Sequence, residues 1–372
     1  MVTTYLRRLY SSFAAHVFDI PPRMLALMLF LLLAFLPLIG LPSTIVTILT
    51  GANVLAIFAA SWDLLVGRTG QISLGHAIFF GIGTYGTGLL FYHLGHPLWI
   101  TIPLSLLIGV GASLLIGFPC LRVKGHYLAL VTLAFPIILI GLILYFRAFT
   151  LGDFGIWNLP TYFPFLPYAV RETAEYYLTL FLLFVSAVTL YKVANSKTGI
   201  VFVSILDDEL ASKASGINVT TYKMMGFAIS GFFATLAGSV NAHLIANGRV
   251  ASIASLRISL SFFVIIYTIF GGIGTIYGPI VGVYILEILD KYVFTQVLSV
   301  PSSYRLLGYS VLVIAFIILW RGRGVARFVT DKLEDFEEAR DIDERGPRIW
   351  KTYKKEGKKI GVIARMRARL KK

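Results

Sequence analysis

Three consecutive acidic residues, Asp207, Asp208 and Glu209, lie between two long apolar stretches and head the segment "DDELASKASG". Carboxylates at the start of a helix stabilise its positive end, and one of them can cap it by accepting backbone hydrogen bonds. We therefore predict a helix of about two turns, capped by Asp207 and ended by Gly216 in a left-handed conformation. Taken by itself, such a helix is a solvated connector between spans.

Polar residues within glycine-rich sequence form a second candidate site. Residues 67–88 read "GRTGQISLGHAIFFGIGTYGTG", and a later stretch reads "GGIGTIYGPIVG". Glycine lowers helix preference and lets backbones approach, and interrupted helices are where transporters expose backbone dipoles to a substrate. Close helix packing explains both stretches equally well. The residues predicted to line a substrate path are Gln71, Ser73, His76, Thr84, Gly271, Gly272 and Gly274.

Catalytic and nucleotide-binding chemistry has no signature in this sequence. The phosphate-binding loop G-x-x-x-x-G-K-[ST] is absent, and no acid–base cluster of a membrane enzyme is recognisable. The one cysteine, Cys120, excludes an intramolecular disulfide and a cysteine-rich metal site. Carboxylates within apolar runs, at Asp63, Glu287 and Asp290, lie near the run ends and look peripheral, which disfavours an ion-coupled carrier. We expect no catalytic residue, metal or cofactor in this chain.

The elements that position these residues are predicted from hydropathy. Apolar residues make up 57% of the 372 residues and the mean hydropathy is +0.80, which is too apolar for a soluble domain. Apolar runs, most of them near the ~20 residues needed to span a bilayer, cover 24–40, 44–66, 73–92, 98–118, 126–146, 176–193, 222–246, 258–271, 276–290 and 304–320. We therefore predict an all-α integral membrane protein, a polytopic helical bundle of about eight to ten transmembrane helices, some of them glycine-interrupted.

The distribution of charge sets the predicted orientation and domain limits. Lys and Arg collect in short cytosolic loops, so we expect both termini in the cytosol. The predicted parts are a cytoplasmic segment 1–23, a transmembrane half 24–193, a cytoplasmic coupling loop 194–222, a second transmembrane half 223–325 and a charged cytoplasmic tail 326–372. The tail is acidic and then strongly basic, which predicts attraction to anionic lipid headgroups rather than nucleic-acid binding.

Four stretches, in order, resemble one transporter family. The loop and following helix, "DDELASKASGINVTTYKMMGFAISGFFATLAG", resemble the cytoplasmic loop of branched-chain amino-acid ABC permeases of the LivM type. The stretches "WDLLVGRTGQISLGHAIFFGIGTYGTGLL", "LRVKGHYLALVTLAFPIIL" and "GGIGTIYGPIVGV" resemble three further segments of that family. Two places depart from its pattern: "TLGDFGI" stands where T-G-G-x-x-G is common, and "WRGRGVARF" follows the last helix.

The resemblance implies the permease subunit of an ATP-driven importer in a prokaryotic plasma membrane. Its partners would be a second, homologous permease, two cytosolic ATPase subunits that bind ATP and Mg²⁺, and an extracytoplasmic substrate-binding protein. Residues Asp207, Asp208, Glu209, Ala211 and Gly216 would couple ATP hydrolysis to alternating access. The implied cargo is a branched-chain or related hydrophobic amino acid. Urea or short amides are the alternative cargo, and a stand-alone ion-coupled carrier is the alternative class.

Overall fold

The computed structural model describes residues 21–121, 123, 126–319 and 324–325. The predicted charged tail, 326–372, and most of the predicted N-terminal segment, 1–23, lie outside the described residues. Their predicted cytosolic and lipid-binding roles therefore remain expectations from the sequence.

Most of the described residues are in helices. They are α1 Pro21–Phe35, α2 Ser43–Asp63, α3 Ala77–Leu94, α4 Leu98–Cys120, α5 His126–Tyr145, α6 Tyr168–Ala194, α7 Lys197–Asp207, α8 Glu209–Ala214, α9 Val219–Ala242, α10 Ile258–Gly271, α11 Tyr277–Ile288 and α12 Ser302–Leu319. Two of them continue as π-helical segments, α2 through Leu64–Arg68 and α11 through Leu289–Val297. Short helical turns cover Leu36–Ile39, Arg147–Thr150, Gly152–Phe154, Ile245–Asn247 and Ile253–Leu256.

The predicted all-α fold is confirmed. Within the described ranges the strand-like pairing is a single isolated bridge between Ile156 and Ala251. A helix lies within each of the ten predicted apolar runs. Six helices there are long and apolar enough to cross a membrane by length and composition: Ser43–Arg68, Ala77–Leu94, Leu98–Cys120, Tyr127–Tyr145, Val170–Ala194 and Val219–Ala242. Shorter apolar helices cover Met28–Ile39 and Ile258–Gly271.

The distribution of exposed side chains is that of a protein surrounded by lipid. Helices α4 and α5 expose leucines at 107, 115 and 130, whereas the interior holds many buried hydroxyl, amide and carboxyl groups. Helix α2 is the central element, because almost every residue from 52 to 65 is buried. It packs against α6, α9, α10 and α11. One example of the polar interior is Asn53, whose Nδ2 donates to Thr179 Oγ1 at 3.0 Å while its Oδ1 accepts from the Tyr284 hydroxyl.

Small residues recur every four positions along α9 and predict a face for close packing. That face lies against α3 and α4, with Ser230, Ala234 and Gly238 all buried. At Gly238 the fit is tight enough that an added β-carbon would overlap the Phe80 carbonyl oxygen of α3. Backbone atoms have little freedom to retreat, so this contact requires glycine.

We expect Gly238→Ala to lower the free energy of unfolding by about 1–3 kcal/mol, because the added methyl group overpacks a backbone contact. The matched control is Gly111→Ala on α4, where no atom lies within 4 Å of an added β-carbon. Thermal unfolding in detergent micelles measures both variants. Equal melting temperatures for the two variants would contradict close packing at Gly238.

Candidate functional site

The acidic segment forms a short helix whose cap lies one residue later than predicted. Asp207 is the last residue of α7, and Asp208 adopts an extended backbone that separates α7 from α8. The Asp208 Oδ1 atom accepts hydrogen bonds from the amides of Leu210, at 2.8 Å, and Ala211, at 3.0 Å. The prediction that Asp207 is the cap was therefore wrong, because both residues are capping types and spacing alone did not separate them.

The other end of α8 is set by Gly216, as predicted. Gly216 has a φ of +83°, its amide donates to the Lys213 carbonyl, and the Ile217 amide donates to the Ser212 carbonyl. This pairing satisfies two carbonyls that the last turn leaves free. An added β-carbon would meet no atom within 4 Å, so the requirement at Gly216 is conformational rather than steric.

Glu209 holds α8 against the start of α9. Its carboxylate forms ion pairs with Lys213 at 2.9 Å and with Lys223 at 2.7 Å. The Lys223 hydrogen bond lowers the pKa of Glu209 to about 2, and Lys213 adds to the effect. The carboxylate is therefore ionised throughout the physiological range, and it faces α9 rather than only the solvent. A hydrogen bond of 2.8 Å between the Ser204 and Ser212 hydroxyls also joins α7 to α8.

Helices α7 and α8 lie at one face of the bundle, which we call the α7–α8 face. They border a groove of about 770 Å³ there. The groove is lined by both helices and by Arg68, whose Nε atom is buried with no hydrogen-bond partner within the described residues. Ile200 is 68% exposed and Leu210 is 71% exposed at this face. Exposed aliphatic side chains therefore lie beside the acids Asp207 and Asp208 at this face.

The first glycine-rich stretch contains a true interruption. Residues 70–76 are not helical between the end of α2 and the start of α3. Gln71 and His76 are buried here, with Gln71 Nε2 donating to the Lys223 carbonyl at 3.3 Å. The His76 Nε2 atom lies 3.3 Å from the Ser61 hydroxyl and 3.2 Å from the Ser230 hydroxyl.

The remaining residues of the first stretch take different positions. Ser73 is also buried, and its carbonyl accepts a 2.7 Å hydrogen bond from Trp62 Nε1. Thr84 lies two turns into α3, where its hydroxyl donates to the Phe80 carbonyl and to the Gly238 carbonyl of α9, both at 3.0 Å. The structure therefore gathers Gln71, Ser73 and His76 in one segment, whereas Thr84 belongs to a helix contact.

The second glycine-rich stretch is also interrupted, and it meets the first. Gly272 and Gly274 have positive φ values of 122° and 79° in the turn between α10 and α11. Asp63 of α2 accepts the amides of Gly274 at 2.6 Å and Ile276 at 2.9 Å. An added β-carbon on Gly67 would lie 2.6 Å from the Gly274 nitrogen, so the two stretches are in direct contact.

Gly271 is placed for packing, because an added β-carbon there would overlap the Gly278 carbonyl oxygen. Two carboxylates that looked peripheral in the sequence are deeply buried: Asp63 is 0% exposed and Glu287 is 4% exposed. Glu287 accepts from the Tyr267 hydroxyl at 2.6 Å and pairs with Lys291 at 2.7 Å. Both lie at helix ends, as the sequence indicated, since Asp63 ends α2 and Glu287 is next to the last residue of α11. The available signal was a lone acid within an apolar run, which usually marks a buried, partnered group.

A lipid-facing helical bundle with six long apolar helices and glycine-mediated packing defines a polytopic membrane protein. The chain belongs to the family described as the permease component of the branched-chain amino acid transport system, whose sequence model matches residues 44–319. The resemblance found in the four sequence stretches is thereby confirmed.

Individual relatives share moderate identity with the chain. It is 28% identical over 312 residues to the high-affinity branched-chain amino acid permease LivM of Salmonella typhimurium, which covers 78% of this chain and 71% of the relative. LivM of Escherichia coli is 27% identical over the same length and coverage. The ribose import permease RbsC of Haemophilus influenzae is 24% identical over 136 residues, 36% of this chain and 42% of the relative. No solved structure matches the chain.

We expect Asp208→Ala to speed hydrogen exchange of the α8 amides about fivefold, because losing a cap costs about 1 kcal/mol. Asp207→Ala is the matched control, since it changes the neighbouring acid without removing either capping bond. Exchange followed by mass spectrometry on a peptide covering 208–217 distinguishes the two. Faster exchange in the Asp207 variant alone would place the cap at Asp207 instead.

Proposed function

We propose that this chain is the permease subunit of an ATP-driven ABC importer that moves branched-chain or related hydrophobic amino acids by alternating access. The observation that carries the proposal is α8, a surface helix fixed at both ends and tied by Glu209 to a central helix, with Leu210 exposed. A rigid element that presents apolar side chains is suited to receive force from a partner. The family membership and the names of the LivM relatives support the cargo.

In this proposal the α7–α8 face lies in the cytosol of a prokaryotic cell and both termini are cytoplasmic. Lys192, Lys197 and Lys213 lie at or beside this face, together with Arg68 in the groove. Such a concentration of cations in short segments agrees with the positive-inside rule. The opposite end of the bundle then receives substrate from an extracytoplasmic binding protein.

The partners are a second, homologous permease and two ATPase subunits, which bind the ATP and Mg²⁺. Their motion would act on the exposed Leu210 and Ala211, while Glu209 and Gly216 position α8. From α8 the motion passes through Glu209 and Lys223 into the first turn of α9. The Lys223 carbonyl also accepts from Gln71, so the same turn is joined to the first interrupted segment. A push on α8 thus reaches both α9 and the residues proposed to line the substrate path.

The alternative class, a stand-alone ion-coupled carrier, requires buried carboxylates that bind and release a cation. Asp63 and Glu287 are buried, but both are engaged in internal hydrogen bonds or ion pairs that hold helices together. This arrangement favours a structural role for them and favours an external energy source for transport.

We expect Leu210→Glu to reduce ATP-driven uptake at least roughly tenfold, because a charge would enter an apolar contact with the ATPase subunit. The side chain is 71% exposed, so the bundle itself should keep its melting temperature. Leu210→Met, which preserves apolar volume, is the matched control. The measurement is uptake into vesicles that contain the chain with its co-purifying subunits. Uptake that needs no ATP, or that is equal in both variants, would sink the coupling proposal.

A second test concerns the cargo. With the binding protein present, we expect uptake of labelled leucine, isoleucine or valine and no uptake of labelled urea or acetamide, because the relatives with the longest matches are named for branched-chain amino acids. Competition between leucine and urea for the same vesicles measures the preference. Preferred uptake of urea would show that the cargo is the alternative one. The proposal of ATP-driven transport would still stand.

A further inference from the structure

A buried carboxylate lies at the end of the bundle opposite the α7–α8 face. Glu175 is in the second turn of α6 and is 1% exposed. Its Oε2 atom accepts a hydrogen bond of 2.9 Å from the Ile245 amide, in the turn that follows α9. Its Oε1 atom is buried and has no hydrogen-bond partner within the described residues. A buried acceptor without a hydrogen bond costs free energy. We therefore expect a donor from outside the described residues to bind this oxygen.

The matching donor lies one helical turn away. Arg171 donates from Nη2 to the carbonyls of Pro164, at 3.1 Å, and Leu166, at 2.7 Å. Its Nε atom is buried and, among the described residues, also lacks a partner. Side chains at positions i and i+4 of a helix are neighbours and commonly pair when their charges are opposite. Here no direct ion pair between Arg171 and Glu175 closes within 4 Å in the described structure.

The group contains two cationic side chains, Arg171 and Arg249, and two carboxyl side chains, Glu172 and Glu175. Arg171, Glu172 and Arg249 act electrostatically on Glu175, and the Tyr162 hydroxyl lies in the same surroundings. Glu172 is already engaged, because it accepts a hydrogen bond from the Ser43 hydroxyl of α2. Among the buried polar atoms of these described side chains, those without a partner are Glu175 Oε1 and Arg171 Nε, on neighbouring turns of one helix.

We propose that Glu175 and Arg171 form an entrance subsite for a zwitterionic α-amino acid. Glu175 Oε1 accepts from the α-ammonium group, and Arg171 Nε–H donates to the α-carboxylate. The assignment rests on the proposed transport function, which it deepens by stating which part of the substrate is recognised. A neutral amide such as urea can make hydrogen bonds here but brings neither charge, so the subsite favours a zwitterion over the alternative cargo.

Glu175→Gln separates this role from a purely structural one. The glutamine carbonyl still accepts the Ile245 amide, so the turn after α9 is kept, but the negative charge that would bind an ammonium group is lost. Glu172→Gln is the matched control, because it removes a carboxylate one turn earlier on the same helix whose partner is a protein hydroxyl. Both variants have the same chemistry and differ only in which carboxylate is neutralised.

The experiment is a thermal-shift titration of the full chain, purified with the subunits that accompany it, using three probes. L-leucine carries both charges, 4-methylpentanoate lacks the ammonium group and 3-methylbutylamine lacks the carboxylate. Ligands that bind the folded state raise the melting temperature, by an amount that grows with the logarithm of ligand concentration over Kd. We expect leucine to bind the wild type at least tenfold more tightly than either analogue. Glu175→Gln should bind leucine no better than it binds 4-methylpentanoate, and Glu172→Gln should behave as the wild type.

Leucine uptake by the same preparations distinguishes a failure of the subsite from a failure of the transport function. If the wild type transports leucine with ATP but Glu175→Gln retains the full preference for leucine over 4-methylpentanoate, the subsite is wrong and the transport function stands. If leucine binds through Glu175 but no ATP-driven uptake occurs, the function is wrong and the subsite stands. A wild type that shows no leucine-dependent shift overturns the subsite directly.

Discussion

The arrangement depends on one constraint: backbone N–H groups in a non-helical turn inside a membrane protein have to find acceptors within the protein. The turn between α10 and α11 meets this constraint through Asp63, which accepts the amides of Gly274 and Ile276. Because Gly67 lies against the same turn, one carboxylate fixes both the break in the second half of the chain and the end of α2. The two interrupted regions are therefore a single structural unit.

A second connection joins this interior to the surface. Lys223 binds Glu209 through its ammonium group and accepts from Gln71 through its carbonyl, so the first turn of α9 contacts the surface helix and the interrupted segment together. Further along, α9 packs backbone to backbone against α3 at Gly238 and Phe80. These contacts connect α8, the interrupted segment and α3 through the single helix α9.

Much of the fold follows from the sequence because it depends on local quantities. The length of apolar runs predicted the helices, the recurrence of small residues predicted the face of α9, and Gly216 predicted the end of α8. The features that the sequence did not indicate depend on contacts between distant residues. Asp63 and its partners are separated by more than two hundred positions, and the burial of Glu175 requires the turn after α9. The prediction that Asp207 is the cap was wrong for a different reason. Asp207 and Asp208 are adjacent acids with equal capping preference, so the sequence did not distinguish them.

The contact between Asp63 and Gly274 also has a consequence for how the chain is made. The two residues are 211 positions apart, and synthesis proceeds at roughly 5–20 residues per second. Asp63 therefore leaves the ribosome about 10–40 s before its partner amides exist. The contact that joins the two interrupted regions therefore cannot form until the second half of the chain has been made.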